Sequence, residues 1–184
     1  GCIDLFMLQN SKVNWSYFPK TDPIPDILLE PIKIFKNNFD KIDSSKNDNN
    51  ELRLDSDAVL KIVSKDFTKA NFLVEKGKKK IDKIRVPVLF GHNGIISQAF
   101  EVDGWNKENK IILEIEAGRA YSNHQFLKDI FEASVMVNVD YLILAVRNIY
   151  KNKKDYEIIR DWLDTLFITK RISFDLKGIL LIGY

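Results

Sequence analysis

A single cysteine, Cys2, leaves the chain unable to form an internal disulfide, and no CxxC pair or Cys/His cluster offers a zinc site. That sparing use of thiols points to a reducing cytoplasm. Gly1 stands where a methionine would open a nascent chain, so Gly1-Cys2 reads as a trimmed or tagged start more than as a lipidated one. No apolar run approaches the roughly 18 residues that a membrane-spanning helix needs. A P-loop, a GxGxxG turn, a GxSxG elbow and an HExxH pair are all absent, and no internal repeat is visible. Charge of one sign is scarce too: the net charge is +2 and the pI about 8.5, too mild to name a partner, so the distribution of charge carries more than its total.

Apolar material is present in quantity. With 184 residues, 45% of them hydrophobic, and 12 phenylalanines, 6 tyrosines and 3 tryptophans, the chain can bury a sizeable core, and a single domain over 1–184 is expected. Residues 1–54 read as an N-terminal helical and loop segment, with Phe6, Trp15, Tyr17 and Phe18 packed onto the domain surface. Pro19, Pro23 and Pro25 break regular structure before a helix from about Asp26 to Phe39. The polar run from Asp40 to Asn50, DKIDSSKNDNN, reads as a flexible surface loop. A long helix then starts at Asp55 or Ser56. Its apolar residues recur from Val59 to Val74 at helical spacing, and Gly77 suits its stop.

Val86 to Phe90 reads as the first core strand, Pro87 suggesting an edge position or a strand start, and it ends in the turn Gly91-His92-Asn93-Gly94. His92 is a candidate base or phosphate contact in principle, although a lone loop histidine is more often neither. A helix from Ser122 or Asn123 to about Asn138 buries Phe126, Ile130, Ala133 and Val137. Tyr141 to Val146 is a strand covered on both faces, Asp155 to Phe167 an amphipathic helix, and Gly178 to Tyr184 a last strand.

Between these elements lies FEVDGWNKENKIILEIEAG, Phe100 to Gly118. Two apolar runs, Gln98 to Trp105 and Lys110 to Glu116, flank the polar cluster Asn106 to Asn109 and read as a hairpin. Alternation puts Glu101 and Asp103 on one face of the first run, and Glu114 and Glu116 on one face of the second. If the acidic faces coincide, three or four carboxylates converge, an arrangement that is costly unless a hard, oxygen-seeking cation sits among them.

An acid, then a strand bearing a second acid, an apolar residue and a third polar group, resembles the PD-(D/E)xK nuclease superfamily through Asp103 and Glu114-Ile115-Glu116. Glu116 stands where most members carry lysine, and Val102 where the name has proline. Glutamate at the last position is the pattern of the BamHI/BglII-like branch of type II restriction endonucleases. The resemblance covers about Asp55 to Asn148, leaving 149–184 as a C-terminal helix and strand. It implies an α/β fold with a mixed β-sheet flanked by helices, built on the restriction-endonuclease-like αβββαβ core. It also implies a Mg2+-dependent endonuclease, with Mn2+ able to substitute, that cleaves double-stranded DNA as a homodimer. Asp103, Glu114 and the Ile115 carbonyl would hold metal, and Glu116 would serve the attacking water. One further acid often comes from the first core helix. A regular helix favours Asp66, which falls inside the apolar stripe, and a break near Asn71 favours Glu75; a helix acid merely paired with a lysine stands level with either.

The segment KGKKKIDKIR gathers Lys76, Lys78, Lys79, Lys80, Lys83 and Arg85 within ten residues. Beside an acidic site this is the charge that a phosphate backbone needs, although at a helix end it is also ordinary solvated chemistry. Arg119 and Asn123, just past the acidic strand, are further candidate DNA contacts, and Arg147, Lys151, Lys153 and Lys154 form a second basic patch. The same fold and charge would also serve a non-catalytic DNA-binding or regulatory protein, or a repair or recombination nuclease that recognises DNA structure.

Overall fold

The computed structural model describes residues 2–9, 11–47 and 54–184. Four helices open the chain: α1 (Cys2–Gln9), α2 (Leu29–Asn37), α3 (Phe39–Ile42) and α4 (Ser44–Asn47), with strand β1 (Asn14–Phe18) after the first. Helix α5 (Ser56–Lys69) leads to β2 (Leu73–Val74), β3 (Ile84–Phe90), β4 (Ile96–Val102), β5 (Gly104–Asn106) and β6 (Ile111–Glu116). Then α6 (Gln125–Val135), β7 (Tyr141–Val146), α7 (Asp155–Thr169) and β8 (Gly178–Gly183) alternate to the end.

Six strands form one mixed sheet in the order β1-β8-β7-β6-β5-β2. Its centre, β6-β7-β8, is parallel, and β1, β5 and β2 are antiparallel to their neighbours. Alternation along the parallel strands sorts the core into two layers. Ile111, Leu113, Ile115, Ile143, Ala145, Leu180 and Ile182 face α2 and α5, packing with Ile32, Phe35, Val59, Val63 and Phe67. Ile112, Leu142, Leu144, Val146, Ile179 and Leu181 face α6 and α7, packing with Phe126, Ile130, Ala133, Ile159 and Leu163. Burial on both sides is why β7 is apolar at every position. Glu114 and Glu116 share the parity of Ile112, so they project toward α6.

Helix α5 stops earlier than its apolar spacing suggests. Asn71 takes φ 70, the left-handed conformation that closes a helix. Asn71 N donates to the Thr68 carbonyl and Phe72 N to the Phe67 carbonyl, while the Phe67 and Phe72 rings meet edge to face at 5.1 Å. The chain emerges extended, so Leu73 and Val74 pair with Trp105 and Gly104 instead of extending the helix.

Three other expectations are corrected. Val86 to Phe90 is not a strand of the main sheet: β3 pairs with β4 in a separate two-stranded ribbon whose register shifts after Pro87, which has no N–H to give a ladder. The run Gln98 to Trp105 is not one strand of a hairpin, because it divides at Asp103, and only Gly104 to Asn106 pair with β6. The polar turn itself forms as expected, with Asn109 N donating to Asn106 Oδ1 at 2.9 Å. The stretch from Asp40 to Asn47 is largely helical and partly buried: Ile42 is 1% exposed, and Ser44 Oγ donates to the Tyr184 carbonyl at 2.5 Å. The remainder of that expected loop, 48–50, lies outside the described residues.

The N-terminal aromatic segment also does more than cover the surface. Residues 14–18 pair with β8 from Asn14↔Gly183 to Phe18↔Ile179, making β1 an edge strand with Phe18 fully buried. The Phe6 side chain lies outside what the structure describes.

The left-handed stop at Asn71 predicts a ranked pair of variants in urea denaturation. Asn71→Val should cost about 1–2 kcal/mol, because a β-branched residue is disfavoured at positive φ. Asn71→Gly should stay within about 0.5 kcal/mol of the parent. Equal stabilities for the two variants would contradict this account of the helix end.

Candidate metal centre

Asp103 sits where the chain leaves the ribbon and enters the main sheet, one residue past β4 and one before β5. Pairing between β5 and β6 covers Ile111 to Leu113 and then stops, leaving the β6 edge open beyond Leu113. The Asp103 side chain takes over there: Ile115 N donates to Asp103 Oδ2 at 2.8 Å. Because the N–H and C=O of one strand residue point the same way, the Ile115 carbonyl also faces this open edge. On the opposite side of Asp103, Glu75 N donates to its backbone carbonyl at 2.9 Å, which fixes the end of β2 beside it.

Glu114 and Glu116 stand two residues apart on the α6 face, and α6 answers with an acid of its own. Its buried stripe consists of Phe126, Asp129, Ile130 and Ala133. Asp129 is 2% exposed, and one oxygen each from Glu114, Glu116 and Asp129 lie within 4.8 Å of one another. Sequence reasoning passed over Asp129. The signal was an acid in line with Phe126 and Ala133 at helical spacing, the same irregularity that drew attention to Asp66.

The remaining candidates separate. Asp66 accepts from Asn38 Nδ2 at 2.9 Å, on the helix layer beneath the other face of the sheet. Glu75 lies beside Asp103, with its carboxylate bound to Lys83 Nζ. Glu101 belongs to the ribbon, opposite Arg85 in the ladder, and is exposed. It shares a groove of about 410 Å³ with Asp103, Glu75, Lys128 and Glu132 but is not among the three converging acids. Glu101 and Asp103 thus line one groove, although the chain changes sheets between them.

His92 is exposed at the ribbon turn, a seven-residue strand away from Asp103. Lys76, Lys78, Lys79 and Lys80 are exposed after β2, whereas Lys83 is half-buried against Glu75. Arg119 and Asn123 line a second groove of about 570 Å³ together with Tyr150, Lys151 and Lys153. Gly118 makes that wall possible: its φ is 130, and a Cβ there would sit 2.7 Å from the Tyr150 ring.

Among the described carboxyls, Asp103, Glu114 and Asp129 are shifted upward. Burial pushes the Asp103 carboxyl up to about 7 against the stabilising Ile115 N–H, with Glu75 and Glu116 adding repulsion. Burial likewise raises Glu114 well above the usual range, helped by Asp103, Asp129 and Glu116. Asp129 is raised by burial and then by Glu116. Lys128 Nζ lies 3.9 Å from Asp129 Oδ1, but its side chain is 56% exposed, and among the described residues no donor reaches the buried Asp129 Oδ2, although the Glu116 carboxyl lies against this group. A buried carboxylate oxygen without a donor is the place a cation would fill. The donor set is all oxygen, which fits magnesium, manganese or calcium and not a soft metal.

No helix among the described residues is long and apolar enough to cross a membrane. No protein-family model matches the sequence, and no curated protein matches it. Among solved structures, the chain is similar to restriction endonuclease BglII complexed with a DNA 16-mer. The identity is 12% and the TM-score 0.54, over 94% of this chain and 77% of that one. At this identity the likeness is one of fold alone, and the fold is restriction-endonuclease-like.

Proposed function

We propose that the protein is a Mg2+-dependent endodeoxyribonuclease that hydrolyses phosphodiester bonds of double-stranded DNA, as a sequence-specific type II restriction enzyme does. The observation that carries this reading is that Asp103, held by Ile115 N at the open edge of β6, interacts with Glu114 and Glu116, which converge with the buried Asp129 on the α6 face. Its setting is a fold shared with an enzyme solved on DNA. Asp103 and Glu114, with the Ile115 carbonyl, would hold the ion. When bound, Mg2+ supplies Lewis-acid polarisation of the phosphoryl group and a lowered pKa for bound water.

The chain's own residues do the rest. Glu116, standing where the superfamily pattern has lysine, orients the attacking water and accepts its proton at a carboxylate oxygen. Asp103 is kept in place by the Ile115 N–H, so the ligand geometry is set before DNA arrives. Lys76, Lys78, Lys79 and Lys80 on one flank and Arg119 and Asn123 on the other give phosphates their counter-charges and donors. Lys83 joins them only by leaving Glu75, which acts as a neighbouring acid that tunes Asp103.

The described residues of one chain carry one such cluster, and a double-strand cut has two scissile phosphates related by a two-fold axis. The active form is accordingly a symmetric homodimer reading a palindrome. Sedimentation with and without cognate DNA checks this: a monomer under both conditions that still cuts both strands together would refute it.

Asp103→Ala and Glu114→Ala should abolish cleavage while DNA binding persists or tightens, since each removes a ligand and a charge that repels phosphate. Glu116→Lys restores the commoner residue of the superfamily yet should lower the cleavage rate by about 10²–10⁴-fold, the usual scale of a lost general base. Single-turnover cleavage and gel-shift binding read both effects. Parental rates in all three variants would remove the site assignment.

The raised carboxyls also predict how stability depends on pH. Asp103 titrates near 7 when folded and about 3.9 when unfolded, so between those values the folded chain binds the extra proton. Its contribution to stability is therefore complete below about pH 4 and is lost as pH rises through about 7, and Glu114 and Asp129 shift in the same sense. In chelator the melting temperature should fall between about pH 5 and pH 8, less steeply for Asp103→Asn. Because the ion competes with protons for the same oxygens, Mg2+ should raise the melting temperature at about pH 8 far more than at about pH 5. An equal rise at both would contradict the assignment.

A further inference from the structure

Asp129 is held differently from buried Asn38 and Ser44. Buried Asn38 donates to the Ile34 carbonyl and to Asp66, and buried Ser44 donates to the Tyr184 carbonyl while accepting from Ile149 N. Asp129 is 2% exposed, yet among the described residues no donor reaches Oδ2, its carboxyl lies against that of Glu116, and the nearest ammonium, on Lys128, stays 3.9 Å from the other oxygen with its side chain 56% exposed. Beside it stand two more carboxylates. Leaving three acids together without a counter-ion is expensive in a desolvated setting.

We propose that Glu114, Glu116 and Asp129 form a second cation seat, separate from the one at Asp103 and deeper in the protein, which takes a hard divalent ion and ties α6 to β6. This rests on the reading of the acidic cluster as a metal centre. The spacing suits it: ligand oxygens about 2.0–2.6 Å from a common ion are at most about 4–5 Å apart, and one oxygen from each of the three acids meets that limit, all within 4.8 Å. The scaffold suits it too. Two ligands are fixed by the alternation of one strand and the third by a buried helix stripe, so the oxygens converge without loop movement. Glu114 is common to both seats, since it is one of the three converging acids and also interacts with Asp103. Its two oxygens allow it to serve both. The donor set contains neither histidine nor cysteine, which selects magnesium, manganese or calcium over zinc.

Calorimetric titration of the metal-free protein with Ca2+ and with Mn2+, without DNA, tests the proposal together with the melting temperature at saturating ion. The parent should bind two ions per chain. Asp129→Asn, of the same shape, should bind one and lose most of the ion-dependent rise in melting temperature, whereas Asp103→Asn should also bind one but keep that rise. Glu116→Gln, which removes a ligand of the deeper seat without touching α6, should behave like Asp129→Asn and serves if the helix variant does not fold. One ion per chain in the parent, with affinity unchanged by Asp129→Asn and Glu116→Gln, would overturn the second seat and leave the nuclease centre standing. No ion bound by the parent would overturn both.

Discussion

The hydrogen bond from Ile115 N to Asp103 is the contact on which the acidic end of the sheet depends. The short strand β5 runs out opposite Leu113, and a parallel strand lies only on the other side of β6, so the last residues of β6 have an edge to be covered. A carboxylate covers it in place of a strand. That choice brings Asp103 up to the strand carrying Glu114 and Glu116, and it leaves the Ile115 carbonyl facing the same way. It also places the acids at the point where the ribbon, the main sheet and α6 meet.

The scaffold around this point is built to hold it still. Strand β7 is buried on both faces and carries β6 on one edge and β8 on the other, so the positions of Glu114 and Glu116 are set by a ladder inside the core of the sheet. Helix α6 lays Phe126, Ile130 and Ala133 on that sheet, and Asp129 travels with them. Three carboxyls shifted upward in one place represent stability given up locally, and a protein tolerates such a local conflict where function requires it. The apolar layers above and below supply what the acids cost.

Strictly local rules made much of this legible in the sequence. Alternation put Glu114 and Glu116 on one face, continuous apolar character marked β7, and helical spacing marked α7. Asn71 was a visible place for α5 to break, and the Schellman geometry there turns it into the stop that Gly77 was expected to provide. What escaped depended on partners distant in sequence. Nothing near Asp103 announces that Ile96 to Val102 will pair with β3 while Gly104 to Asn106 pairs with β6, a division that leaves Glu101 on the ribbon and outside the three converging acids. Likewise β1 exists because β8, some 160 residues later, offers it an edge. Asp129 was hidden for a related reason: an acid in an apolar stripe gains meaning only once the strand it faces is known to carry two more.

Incubation of a supercoiled, mixed-sequence plasmid with the protein, in Mg2+ and in chelator, tests the central claim most directly. The account predicts a fixed set of discrete fragments in Mg2+ and intact plasmid in chelator. Intact plasmid in both would contradict it and favour a DNA-binding module on the same fold, and smears or cuts confined to branched DNA would contradict sequence specificity while keeping the hydrolytic centre.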